Sequence, residues 1–91
     1  MRELQDQVAE WHRATFPEDG IIDRLKQKLS EEYCEFRQTS CSEPEEAADV
    51  VIVLLALADR RGWDLEQAVK SKLEIVKRRD QFARDRARGY E

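Results

Sequence analysis

Glu46-Ala47-Ala48-Asp49-Val50-Val51-Ile52-Val53-Leu54-Leu55-Ala56-Leu57-Ala58 is the stretch that decides the fold. Its apolar run covers 50–58, well short of the roughly 18 residues of a membrane span. The spacing predicts a core helix of a small protein. On such a helix Glu46, Val50, Val53 and Leu57 form one row, and Asp49, Val53, Ala56 and Arg60 form its neighbour. Two acids three positions apart therefore lead straight into the most apolar face of the chain.

The helix is expected over 43–61. Ser42 with Glu45 reads as a capping box, Pro44 suits the first turn, and Arg60-Arg61-Gly62 supplies a basic end with a glycine cap. Upstream, 21–38 reads as another helix, in which Leu25, Leu29, Glu32 and Phe36 recur at spacings of four, three and four. Glu32 thus occupies a position where a leucine is expected. Glu32 and Glu35 share a helix face, as do Glu46 and Asp49, with Cβ atoms roughly 5–6 Å apart in each pair. Antiparallel packing of the two helices makes these two claws face each other.

Buried carboxylates are costly unless they meet cations or metals or stay partly solvated in a cleft. Oxygen-only ligation by several carboxylates suits Mg²⁺ or Mn²⁺ better than zinc. His12 is the single imidazole, and Cys34 and Cys41 lack the paired spacing of a structural zinc site. Magnesium held by a few carboxylates keeps several waters and meets substrate phosphates, which points to phosphate chemistry.

Two more helices complete the reading. One covers 2–14, with Leu4, Val8 and Trp11 as its apolar face, and ends before Phe16-Pro17-Glu18-Asp19-Gly20. The other covers 64–82, opened by Asp64 with Gln67, its stripe being Leu65, Ala68, Val69, Lys72, Leu73 and Val76. Lys72 either reaches along the bundle interior toward the acids or snorkels over apolar surface. The tail 83–91 loses periodicity. The expectation is one all-α domain over 1–91, a four-helix-type bundle. A chain of 91 residues buries a modest core, so a dimer or a dimer-based tetramer is expected.

Composition agrees, with 41% hydrophobic and 40% charged residues, three glycines and two prolines. The net charge of −4 argues against binding a nucleic-acid polymer. Charge is uneven: 70–88 is strongly basic and the middle acidic, complementary parts of a site for a nucleotide phosphate chain. Free thiols, an opening that reads as amphipathic helix rather than signal peptide, and the absence of a membrane-length run place the protein in the cytoplasm. No Gly-rich phosphate loop is present, which excludes a P-loop kinase.

The pair Glu31-Glu32-Tyr33-Cys34-Glu35 and Glu46-Ala47-Ala48-Asp49 resembles the signature of the MazG-like all-α nucleoside triphosphate pyrophosphatases, Glu-Glu-x-x-Glu followed by Glu-x-x-Asp. The resemblance covers about 11–79. Lys72-Leu73-Glu74-Ile75-Val76-Lys77-Arg78-Arg79 is similar to the family's Lys-x-x-x-Asn-x-Arg-x segment, with Val76 in place of the asparagine, and the ten-residue gap between motifs is short. The resemblance implies that Glu32, Glu35, Glu46 and Asp49 ligate Mg²⁺, with Mn²⁺ as substitute, and that Glu31 orients or deprotonates the attacking water. It implies phosphate contacts from Lys72 and from one of Lys77, Arg78 or Arg79. The reaction implied is hydrolysis of a (deoxy)nucleoside triphosphate between the α and β phosphates.

Trp11-His12-Arg13-Ala14-Thr15-Phe16-Pro17 resembles the aromatic segment that stacks on the base in nucleotide-hydrolysing members. As residues, Trp11 reads as a core anchor or a stacking platform, His12 as a surface or rim residue, and Trp63 and Tyr33 as packing residues. Phosphoribosyl-ATP pyrophosphatase is the rival within the fold. A non-catalytic helical partner-binding module is the rival outside it, and predicts no metal dependence. A di-iron bundle needs Glu-x-x-His pairs, and Ala9 stands three residues before His12.

Overall fold

The computed structural model describes residues 1–16 and 20–79, and over these the chain is helical with no strand. The helices are α1 (Arg2–Thr15), α2 (Ile21–Gln38), α3 (Pro44–Arg61) and α4 (Leu65–Lys77). The expected all-α class holds. The fourth helix is shorter than expected: it ends at Lys77, Arg78 and Arg79 lie beyond it, and 80–82 and the tail 83–91 fall outside the described residues. None of the described helices is long and apolar enough to cross a membrane.

α3 is central, with α2 along one side, α1 along another, and the start of α4 against α1. Val8, Ile21, Leu25, Val53, Leu55 and Ala56 form the core, extended by half-buried Phe16, Leu29, Leu57 and Leu65. Each large aliphatic side chain so buried contributes roughly 1.5–3 kcal/mol. Leu25 and Glu32 are both buried on α2, as the stripe requires. Apart from half-buried Leu65, which packs against the core, α4 carries no buried residue: Val69 and Leu73 of its expected stripe are about half exposed.

On α1 the buried face differs from the one expected. It is Gln5, Val8, Ala9 and His12, while Leu4 and Trp11 are exposed. The reason is hydrogen bonding. Gln5 Nε2 donates to the Trp63 carbonyl (2.7 Å) and its Oε1 accepts from the Leu65 N–H (3.0 Å), so the amide stitches α1 to the α3–α4 turn. A satisfied polar side chain is tolerated inside, and Gln5 so held turns Leu4 off the inner face. Tyr33 and Trp63, expected to pack, are likewise about half exposed.

The turns follow from local chemistry. Gly62 adopts φ 75°, and the Trp63 N–H to Ala58 carbonyl bond (2.8 Å) closes a Schellman turn at the end of α3. Asp64 caps α4 through the Gln67 N–H (3.1 Å), as its position predicts. The capping box at α3 does not form. Glu43 is the N-cap, and the Ser42 hydroxyl donates instead to the Thr39 carbonyl (2.6 Å), because the preceding loop folds back on α2. In that loop Ser40 and Cys41 both take φ 57°, a left-handed conformation that costs L-residues about 1–2 kcal/mol each. Cys41→Gly removes the steric part of that cost and is expected to stabilise the protein by about 0.5–1 kcal/mol in thermal denaturation; a lower melting temperature would show that the turn is not strained there.

Glu66 ties α4 to the start of α1. It meets Lys70 Nζ (2.9 Å), accepts from the Arg2 N–H (2.6 Å) and lies 3.1 Å from the Met1 ammonium. Lys70 first, then these donors, hold its carboxyl down from 4.5 to about 2. A carboxylate lowered on folding stabilises the fold above its ordinary value and loses that contribution as pH falls through the folded one. The melting temperatures of the wild type and Glu66→Gln should therefore differ at neutral pH and converge between about pH 4.5 and 2. A gap independent of pH would mean the carboxylate's charge is irrelevant.

Candidate active site

The left-handed loop turns the chain back so that the second half of α2 faces the start of α3. This places one carboxylate oxygen each of Glu32, Glu35 and Glu46 within 4.8 Å of one another. Glu32 is 7% exposed, half-buried Glu46 stands beside it, and Glu35 is exposed. One Glu32 oxygen lies 3.3 Å from Lys28 Nζ, and that contact raises the lysine's proton affinity. The other, Oε2, is buried without a hydrogen-bond partner. Burial first, then the charges of Glu35, Asp49 and Glu32, push the Glu46 carboxyl above its ordinary value, and a hydrogen bond to Asp49 adds to this.

A buried carboxylate oxygen with no donor, set among acids that crowd one another's charge, suits a bound cation. The donor set is oxygen alone, and its crowding fits a hard divalent ion such as Mg²⁺ or Mn²⁺.

Next to the acids opens a cavity of about 460 Å³, within the range of small-molecule sites. Glu32 and Asp49 line it, together with Trp11, His12 and Phe16 from α1 and its end, Arg24 and Lys28 from α2, and Ile52 and Val53 from α3. The rings touch one another: Trp11 meets Phe16 edge-on at 5.8 Å and His12 lies 4.8 Å from Phe16. The Arg24 guanidinium sits 5.9 Å from the Phe16 ring centroid. Arg24, Lys28 and Glu32 follow at intervals of four on one face of α2, so the wall passes from aromatic to basic to acidic over roughly 12 Å of helix.

His12 was expected at the surface or rim and is instead buried, 5% exposed. Its Nδ1 lies 3.1 Å from an Arg60 guanidinium nitrogen. Burial, and then the Arg60 charge, lower its pKa, opposed by Asp59. Trp11 is no core anchor; the exposed ring forms part of the cavity wall.

The other candidates fall elsewhere. Glu31 is exposed beside the cluster, taking a hydrogen bond from Gln27 Nε2 (3.2 Å), with Lys28 Nζ 4.0 Å away. Lys72, Lys77, Arg78 and Arg79 are exposed, and the cavity wall holds no residue of α4. Lys77 lies 3.9 Å from Glu74, and Arg78 Nε donates to the Glu74 carbonyl (3.1 Å). Arg24 and Lys28 were not among the candidates, although their spacing of eight and four before Glu32 puts them on its helix face.

An acid cluster on paired helices thus lies beside an aromatic and basic cavity in an all-helical protein. The sequence matches the family model for dATP/dGTP pyrophosphohydrolase over residues 4–88, and the chain belongs to that family. It is similar to a dATP/dGTP diphosphohydrolase of Salmonella phage PMBT28, with 36% identity over 77 residues. It is similar also to a dATP/dGTP diphosphohydrolase of Cyanophage S-2L, with 34% identity over 80 residues. The matched region is 85% of this chain in each case, but 26% of the first relative's length and 73% of the second's. No solved structure matches.

The position of Glu32 separates a structural acid from one retained for a ligand. Glu32→Leu fills a leucine position and removes a buried oxygen without a donor, so it is expected to stabilise the fold by about 1–2 kcal/mol. The same change should abolish any rise in melting temperature on adding Mg²⁺ or Mn²⁺. A destabilised variant, or an undiminished metal effect, would contradict this role.

Proposed function

We propose that this protein hydrolyses purine deoxynucleoside triphosphates between the α and β phosphates, releasing the monophosphate and pyrophosphate. The observation that carries the reading is the convergence of Glu32, Glu35 and Glu46 beside a cavity that Asp49 shares with an aromatic wall. Glu32, Glu35, Glu46 and Asp49 hold the divalent ion, Mg²⁺ with Mn²⁺ as substitute. When bound, such an ion neutralises phosphate charge and acidifies water. Family membership and the names of the two phage relatives support the substrate class, in preference to phosphoribosyl-ATP or a non-catalytic partner.

The side chains divide the work. The ring of Trp11 or Phe16 offers a face to the base, and Arg24 and Lys28 offer positive charge to the phosphate chain. The apolar wall excludes water from the base and strengthens those charge contacts. Glu31 orients the attacking water or takes its proton. The water oxygen forms a bond to the α phosphorus as the bond from that phosphorus to the αβ bridging oxygen breaks, and the bridging oxygen leaves on pyrophosphate.

We also infer a homodimer or dimer-based tetramer in the cytoplasm. The support is apolar surface that the chain leaves open, including Val51 and Leu54 on α3 and Val69, Leu73 and Ile75 on α4. Phosphate contacts from Lys72, Lys77, Arg78 or Arg79 depend on that assembly, since α4 is absent from the cavity wall of its own chain.

Pyrophosphate release from a panel of ribo- and deoxynucleoside triphosphates and phosphoribosyl-ATP, with Mg²⁺ and with EDTA, tests the reading. dATP and dGTP should be cleaved with Mg²⁺ and spared in EDTA. Glu35→Gln and Asp49→Asn should each reduce turnover by at least about a hundredfold, given the several kcal/mol that metal-centred charge stabilisation supplies, with the helical circular dichroism unchanged. Full activity in both variants would remove the acids from the mechanism.

A further inference from the structure

The cavity contains one buried ring that base stacking does not use. His12 is the single histidine of the chain and lines the cavity among the aromatic residues. Its Nδ1 faces an Arg60 nitrogen at 3.1 Å, and the same guanidinium lies 3.4 Å from the His12 carbonyl. A guanidinium has only donors. Nδ1 must therefore accept, which puts the proton of the neutral ring on Nε2. Burial and the Arg60 charge disfavour a second proton. Among the described residues Nε2 makes no hydrogen bond, so the ring carries a fixed, neutral N–H donor with no acceptor among them.

Adenine and guanine differ in sign at their six-position, an amino donor in one and a carbonyl acceptor in the other, yet both present N3 and N7 as acceptors. A site that takes both purines cannot commit to the six-position. A single donor directed at a ring nitrogen accepts both.

We propose that His12 Nε2–H is the purine-selecting contact of this cavity, donating to the N3 or N7 acceptor that adenine and guanine share. Arg60 is a positioning residue that fixes the tautomer. The proposal rests on the reading of the site as one for purine nucleoside triphosphates. It explains why a histidine, rather than an aliphatic residue, occupies a buried position on α1.

Calorimetric titration with dATP, 3-deaza-dATP and 7-deaza-dATP, with Ca²⁺ as the metal, tests it on the wild type and on His12→Phe, alongside pyrophosphate release with Mg²⁺. The wild type should bind one of the two analogues about tenfold more weakly than dATP, as expected when a buried donor loses its acceptor, and the weakened analogue names the nitrogen. His12→Phe should bind all three alike. Equal binding of all three by the wild type would overturn the proposal. So would a penalty that persists in His12→Phe, which would assign the donor to the Trp11 indole instead.

If His12→Phe fails to fold, the wild type and Arg60→Met still decide. With one histidine, its imidazole ¹⁵N signals need no assignment by mutation. They should show the Nε2-protonated tautomer, lost in Arg60→Met, and an Nε2 shift on adding dATP; an Nδ1-protonated ring, or no response to dATP, would overturn the proposal. Binding with the deaza penalty but without pyrophosphate release would refute the hydrolysis reading and leave His12 in place. Cleavage without the penalty would do the reverse, and no binding of dATP would refute both.

Discussion

Carboxylates that approach as closely as those of Glu32, Glu35 and Glu46 oppose the packing that brings them together. Burial first, and then their mutual repulsion, raise the proton affinity of Glu46, and a buried oxygen of Glu32 has no donor. The approach is imposed by the α2–α3 pairing, whose apolar side chains Leu25, Leu29, Val53 and Leu57 join one core, and by the left-handed turn at Ser40 and Cys41. Packing free energy and turn strain thus hold charges where they would not otherwise settle. A cation set among the three carboxylates would relieve that conflict.

The rest of the site is ordered by α2. Its cavity-facing side carries Arg24, Lys28 and Glu32 in succession, and Arg24 leans toward Phe16 at the aromatic part of the wall. Sequence order along one helix therefore becomes chemical order along the cavity wall, aromatic surface first and acids last. α1 closes the cavity with a face that is polar at two positions. Gln5 is satisfied by the α3–α4 turn and His12 Nδ1 by Arg60, so each fixes the helix in rotation.

The acids and their helices were legible in the sequence because the signal is local. A carboxylate in a leucine position at spacings of three and four announces itself without knowledge of the neighbours, and Glu32 is indeed buried. The caps at Gly62 and Asp64 were legible for the same reason. The α1 face was not. Hydropathy alone favours Leu4 and Trp11, and the decision for Gln5 and His12 comes from partners some fifty to sixty residues away in Trp63, Leu65 and Arg60. The box at Ser42 failed because the tight local turn back to Thr39 claimed its hydroxyl. Lys72 on the α4 stripe illustrates a third limit: an amphipathic pattern does not say whether its own chain covers that face, and here the stripe is largely exposed.

A divalent ion among these particular carboxylates is what the proposed chemistry requires. Anomalous diffraction from crystals grown with Mn²⁺ tests it most directly. The account predicts a manganese peak bonded to oxygens of Glu32, Glu35 and Glu46, at roughly the 2.0–2.2 Å typical of small hard cations. A well-ordered site with no peak there, or manganese held only by acids outside it, would contradict it.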